Sequence, residues 1–155
     1  MNKAIVVKTE RLTIYSLSDF EMEELIDNEI NTDMKQAYSE MLGGCKQNPE
    51  QRIWYAVWNI QLNDGTDRSV GDLSFKGMDS YGVVEIGYGI KKEYEGQGYM
   101  TEAVTVMSRW ASEQTGVNHV EAETDPDNMA SQRVLEKAGF RLNGKMGAEG
   151  PRYVL

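Results

Sequence analysis

The chain is poor in the residues that staple or metallate a fold. It has one cysteine, Cys45, and one histidine, His119. A lone cysteine excludes an internal disulfide framework, and one thiol with one imidazole cannot build a thiolate or imidazole metal cage, so no metal is expected. Long apolar runs are missing too. Near the start only Ala4 to Val7 is continuous, too short for a secretory leader, and nothing later approaches the ~20 residues of a membrane span. The expectation is a cytoplasmic protein with no membrane partner. Cations are scarce, 16 Lys and Arg against 25 Asp and Glu, for a net charge of -9. Nucleic-acid affinity rests largely on a basic face that neutralises phosphates, so no nucleic-acid partner is expected.

What is present fits one ordinary domain covering residues 1–155, with 40% hydrophobic and 26% charged residues. The acidity is uneven: Asp19 to Arg52 holds nine carboxylates against Lys35, Lys46 and Arg52. Such a stretch is a solvated face or a negative rim that attracts a cationic amine.

Val6 to Ser16 reads as a strand. Ser18 followed by Glu21 forms a capping box, and Met22, Leu25, Ile26 and Ile30 recur at helical spacing, predicting a helix to about Asn31. A second helix is predicted from Asp33 to Leu42, stopped by Gly43-Gly44. Ile53–Leu62, Ser69–Met78 and Tyr81–Ile90 read as strands of an antiparallel meander, with Gly87 and Gly89 on one face marking a bulge or a close backbone approach. Met100, Ala103, Val104, Met107, Trp110 and Ala111 hold helical spacing up to Gly116. Asn118–Thr124 is a strand, Met129–Ala138 a helix closed by Gly139, and Phe140–Leu142 and Arg152–Leu155 are final strands. The class is mixed α+β around one sheet.

Between the strand ending at Ile90 and the helix opening near Gly98 lies Tyr94-Glu-Gly-Gln-Gly-Tyr-Met-Thr101. Glycines at a helix start let free amides and the helix dipole converge on an anion. The dinucleotide fingerprint fails, because Thr101 takes the place of its third glycine, and the Walker Gly-Lys-Ser/Thr is absent. His119 and Cys45 lack catalytic company, and Trp54, Tyr55 and Trp58 read as core and sheet packing.

The loop's company is more specific. Val84-Glu-Ile-Gly-Tyr-Gly-Ile90 precedes it, Thr101-Glu-Ala103 opens the helix, and Asn128-Met-Ala-Ser131 and Glu136-Lys-Ala-Gly-Phe140 follow. With Thr9-Glu-Arg-Leu12 near the start, the chain resembles over essentially its whole length the GNAT superfamily of N-acetyltransferases, in the branch typified by ribosomal-protein N-terminal acetyltransferases. The resemblance implies a three-layer fold: a mostly antiparallel, twisted sheet of about seven strands with a splayed parallel pair, and about four helices. It implies acetyl-CoA as cosubstrate and an amine acceptor, a cationic one among the candidates, in a monomer or homodimer.

By the same resemblance, Tyr88, Gly89 and Ile90 present main-chain groups to the acetyl and pantetheine. Gly96, Gln97, Gly98, Tyr99, Met100 and Thr101 wrap the pyrophosphate, and Asn128 bonds the pantetheine arm. Two positions depart from the family's phosphate signature, Glu95 and Met100. Glu95 is expected to face solvent or pair with Lys91 or Lys92, and Glu102 to serve the helix start. The base that frees the amine is Glu85 or Glu123. The tyrosine that often protonates the leaving thiolate is replaced by Leu135, leaving Ser131 or a water for that step. The alternative is a CoA-binding or regulatory module of the same fold without turnover.

Overall fold

The computed structural model describes residues 4–155. A first hairpin, β1 (Val6–Lys8) and β2 (Leu12–Ser16), leads to α1 (Asp19–Asn28) and α2 (Thr32–Gln47). A 3-10 segment, Pro49–Trp54, precedes β3 (Trp58–Leu62), β4 (Ser69–Ser74), β5 (Val83–Glu85) and β6 (Gly87–Ile90). A short 3-10 turn, Lys92–Tyr94, then enters α3 (Tyr99–Ser112), β7 (His119–Glu123), α4 (Met129–Lys137), β8 (Arg141–Met146) and β9 (Pro151–Val154).

The strands form two hydrogen-bonded sheets in the orders β1-β2-β3-β4-β6 and β5-β7-β9-β8. All pairs are antiparallel except β5 with β7. The sheets join at Ile86. Glu85 stands opposite Glu121 of β7, Ile86 N–H donates to the Glu121 carbonyl at 2.9 Å, and Gly87 is already opposite Ser74 of β4. Beyond that point β6 and β7 diverge and leave an edge of β6 open.

Nine strands stand where seven segments were expected, because two of those segments divide. Val6–Ser16 folds back at Thr9 to Arg11. Tyr81–Ile90 changes partner at Ile86 without breaking its side-chain alternation: Val84 and Ile86 remain in the core, so its hydrophobic pattern carries no mark of the split. The strand expected from Ile53 begins only at Trp58. Trp54, Ala56, Val57 and Trp58 are all buried, a run that follows a tight turn after Pro49 rather than a pleat. The second helix runs through Gly43-Gly44 to Gln47. Gly44 lies against the Tyr55 ring, where a Cβ would come within 2.5 Å of Cδ1, so this glycine serves close packing rather than a stop.

Two buried clusters flank the sheet. Leu12, Ile14, Trp58, Phe75, Val84 and Ile86 pack under α3 and α4 through Met100, Val104, Met107 and Leu135. Met22, Tyr38, Leu42 and Cys45 pack α1 and α2 with Leu17, Ala56 and Val57. Each fully buried side chain of this size contributes ~1.5–3 kcal/mol. Those layers hold the splayed strand ends in place.

Candidate active site

A groove of about 770 Å³ opens between β6, the loop before α3, and α4. Its walls gather Tyr88, Gly89, Ile90, Gly96, Gly98, Tyr99, Met100, Thr101, Asn128 and Ser131. Glu95 lines it as well, with Arg133 and Lys137 from successive turns of α4.

The backbone of β6 sets which amides face the groove. Lys91 N–H donates to Val70 O at 2.8 Å, and the register puts Asp72 opposite Gly89. The Gly89 carbonyl also abuts Gly71 on β4. Residues 89 and 91 therefore turn their polar backbone toward β4, and by strand alternation the amides of Tyr88 and Ile90 point to the open edge. Two amide donors two residues apart along an open edge can hold a carbonyl that is gaining negative charge.

At the other end of the groove, α3 begins without a side-chain cap. Ser18 caps α1, Asn31 caps α2 and Asn128 caps α4, but the residue before α3 is Gly98, which has no side chain to accept the amides of its first turn. Glu102 N–H reaches the Gly98 carbonyl at 3.1 Å, leaving Tyr99, Met100 and Thr101 N–H as helix-start donors without an intrahelical partner. Gly96 and Gly98 have φ of +76° and +81°, a region that L side chains enter at a cost of ~1–2 kcal/mol. The glycines are required by backbone conformation, since a Cβ at Gly96 would meet nothing within 4 Å.

A brace the sequence did not reveal stands under this loop. Arg11, in the β1–β2 turn, donates through Nε to Glu102 Oε1 at 2.8 Å and through Nη1 to the Gln97 carbonyl at 2.9 Å. Its guanidinium also stacks 4.4 Å from the centroid of the Tyr99 ring. Glu102 Oε2 accepts from the Thr9 hydroxyl and from Arg11 N–H. Burial alone would raise the Glu102 carboxyl, but these hydrogen bonds outweigh it and hold it below the ordinary range. Thr9-Glu-Arg-Leu12 was visible only as a motif; its contact lies more than eighty residues downstream, beyond any local signal. Gln97 thus offers its carbonyl to Arg11, away from the groove. Glu95 is exposed and forms no ion pair among the described residues, with Lys91 and Lys92 included.

Asn128, which lines the groove, accepts the Ser131 N–H through Oδ1 at 3.0 Å and so caps α4. The Ser131 hydroxyl lies 2.9 Å from the Tyr88 hydroxyl, whose acidity burial has weakened. Leu135 is fully buried, so position 135 faces the core.

Glu85 and Glu123 stand outside the groove, on the opposite face of the strands. Arg152 of β9 joins them: its Nη1 lies 2.9 Å from Glu85 and 2.7 Å from Glu123, and its Nη2 lies 3.0 Å from Glu121. Glu85 also pairs with Lys76 at 2.8 Å. Glu123 accepts the Glu149 N–H at 2.8 Å, and that bond first, then Arg152, holds its carboxyl below the usual range. Burial acts against the Arg152 charge, yet its three carboxylate partners raise its pKa.

A sequence profile of the acetyltransferase (GNAT) domain matches residues 8–141. The chain belongs to that family. It is 39% identical over 89 residues to the uncharacterized N-acetyltransferase YjdG of Bacillus subtilis, an alignment covering 57% of this chain and 52% of that protein. The chain spans a third to about half of the length of the curated relatives it matches first. The ribosomal-protein-S5-alanine acetyltransferase of Vibrio fischeri superposes with a TM-score of 0.73 over 97% of this chain and 94% of its own, at 15% identity. The ribosomal L7/L12 α-N-protein acetyltransferase RimL in complex with coenzyme A gives 0.72 over 97% and 95%, at 14% identity. These structural likenesses establish the fold.

Proposed function

We propose that residues 1–155 act as a single cytoplasmic N-acetyltransferase domain that moves an acetyl group from acetyl-CoA to a primary amine by direct attack. The observation that carries this reading is the pairing of two sets of free main-chain donors in one groove: the uncapped first turn of α3 and the outward amides of Tyr88 and Ile90. The first suits a pyrophosphate and the second a thioester oxygen. Asn128 lines the same groove and would bond the pantetheine arm. Arg133 and Lys137 supply positive charge that the chain as a whole lacks.

In this reading the amine nitrogen attacks the thioester carbon, the C–S bond breaks, and Ser131 or a water protonates the thiolate. The acceptor must first lose a proton, because an ammonium has no lone pair to attack with. The sequence nominates Glu85 and Glu123 for that step.

The test follows thiol release from acetyl-CoA in the presence of a basic peptide with a free N-terminus, spermidine, or an aminoglycoside. Release with any of them supports the reading. CoA binding without release on every amine would favour a non-catalytic CoA-binding module. Replacing the true base by Gln lowers turnover most at acidic pH, and unchanged turnover removes that residue from the mechanism.

A further inference from the structure

A third carboxylate stands beside the proposed acetyl position, nearer to Gly89 than Glu85 is. Asp72 is directly opposite Gly89 in the β4–β6 ladder, and Gly89 lies midway between the two outward amides. A directly opposed pair places Cβ positions ~5 Å apart. Gly89 has no Cβ, and one built there would meet nothing within 4 Å, so Asp72 borders open space on the face under α2. Glu85, four residues from Gly89 along the strand, is about 13 Å away at ~3.3 Å per residue.

The surroundings of Asp72 differ in kind from those of the two glutamates. Its Oδ2 accepts the Tyr38 hydroxyl at 2.6 Å, a neutral donor from α2, and among the described residues it forms no ion pair. Glu85 and Glu123 are held by cations, and Glu123 is additionally closed in by the β8–β9 turn, where Gly147 lies flush against it. A carboxylate held by a guanidinium is a weak proton acceptor; one held by a phenol keeps more of its basicity.

We propose that Asp72, oriented by Tyr38, is a catalytic residue that receives the acceptor's ammonium and takes its proton, which makes the acceptor an unhindered primary amine that arrives charged. This rests on the acetyltransferase reading. One N–H proton passes to the Asp72 carboxylate; the freed lone pair forms the C–N bond; the thioester C–S bond breaks, and the second proton that the nitrogen sheds as it becomes an amide passes through Ser131 or a water to the departing thiolate, giving CoA. Asp72 then returns its proton to solvent, so the net reaction releases one proton with the amide and CoA.

The groups acting on this carboxylate come from each packed element. Burial raises it, Tyr38 of α2 lowers it through the hydrogen bond, Glu29 at the end of α1 raises it, and Lys91 after β6 lowers it. Its folded value sits above the ordinary carboxylate range. Activity is therefore present above that raised value and is lost as pH falls through it.

The experiment measures kcat/KM against pH for the wild type and for Asp72→Asn, Tyr38→Phe, Glu85→Gln and Glu123→Gln, with spermidine and a free-N-terminus basic peptide as probes. CoA affinity and melting temperature are followed in parallel. Asp72→Asn should lose on the order of 100-fold in kcat/KM with CoA binding and folding retained. Its amide replaces a desolvated anion and still accepts from Tyr38. Tyr38→Phe should keep activity at high pH and move the acid limb upward, because the bond that lowered Asp72 is gone. A folded, CoA-binding Asp72→Asn with wild-type kcat/KM overturns the assignment, as does a collapse confined to Glu85→Gln or Glu123→Gln. A wild type that releases no thiol on spermidine, the basic peptide or an aminoglycoside overturns the acetyltransferase reading and this inference with it.

Discussion

On one side of β6 the groove offers the amides of Tyr88, Ile90, Tyr99, Met100 and Thr101, and on the other every candidate group is an ionisable side chain: Glu85, Glu121, Glu123, Arg152 and Asp72. Main-chain donors do not titrate and tolerate substitution, which is why Met100 can stand in the phosphate loop. Side chains titrate and discriminate, so acceptor choice and pH response are expected to reside there. The two sides should fail independently.

The largest break is on the side-chain face. Arg152→Gln leaves Glu85, Glu121 and Glu123 crowded without their shared cation. Removing one partner of a buried pair costs ~3–5 kcal/mol, and partial exposure of the Arg152 side chain reduces this to about 2 kcal/mol. The loss is specific to pH. In the wild type the Glu123 carboxyl is lowered, so its contribution is present above the unfolded value and fades as pH falls through the folded one. Melting curves of wild type and variant should converge in acid, with CoA affinity unchanged throughout. A parallel loss of CoA affinity would show that the two sides are coupled.

The matching break on the donor side is Gly98→Val. A β-branched residue at φ +81° costs ~1–2 kcal/mol and displaces the first-turn amides. CoA should bind on the order of tenfold more weakly by calorimetry, while the Arg152 cluster and its pH response stay as they were. Retained affinity would mean that the loop's glycines serve folding alone.

How much of this was legible follows from how local each feature is. Ser18 and Glu21 form the capping box their spacing specifies, and α4 runs from its Asn128 cap to Lys137, just before Gly139, whereas α3 starts at the uncapped Gly98 and stops at Ser112, short of the expected stop at Gly116. The loop glycines could be read because a positive φ leaves a mark on residue choice. The exchange of partners at Ile86 could not, since side-chain alternation continues while hydrogen bonding moves from β7 to β4. Asp72 and Tyr38 meet through strand register and helix packing, 34 residues apart, and neither position carries a signal alone. The same holds for Arg11, which reaches Glu102 and Gln97 only once the first hairpin is laid beside α3.

Arg11 separates the contribution of main chain from its support. Arg11→Ala should weaken CoA binding by about fivefold, near 1 kcal/mol for a charged hydrogen-bond pair plus stacking. Arg11→Lys should recover only part, since a point charge cannot bond both Glu102 and the Gln97 carbonyl while stacking on Tyr99. Glu102→Gln should mimic the loss at neutral pH. It should also flatten the acid side of the stability profile, because the lowered Glu102 carboxyl contributes above its unfolded value and loses that contribution as pH falls through the folded one. Equal affinities in all these variants would assign the brace to the fold alone.

The smallest effect is the sharpest probe of the comparison, because among the described residues Glu95 is the one anionic side chain lining the groove. It is exposed, so its repulsion of a pyrophosphate works through solvent and is worth well under ~1 kcal/mol. Glu95→Gln should tighten CoA about twofold at low salt, and the gain should disappear as ionic strength shortens the screening length from ~30 Å at 0.01 M to ~8 Å at 0.15 M. The dependence on salt carries the meaning. A gain that persists at high salt would place the carboxylate against the phosphates, and the donor side would then owe part of its affinity to a side chain. A gain that vanishes leaves phosphate recognition to the amides of α3, the dipole behind them and the Arg133 and Lys137 cations, with Glu95 only setting how strongly the groove resists anions on approach.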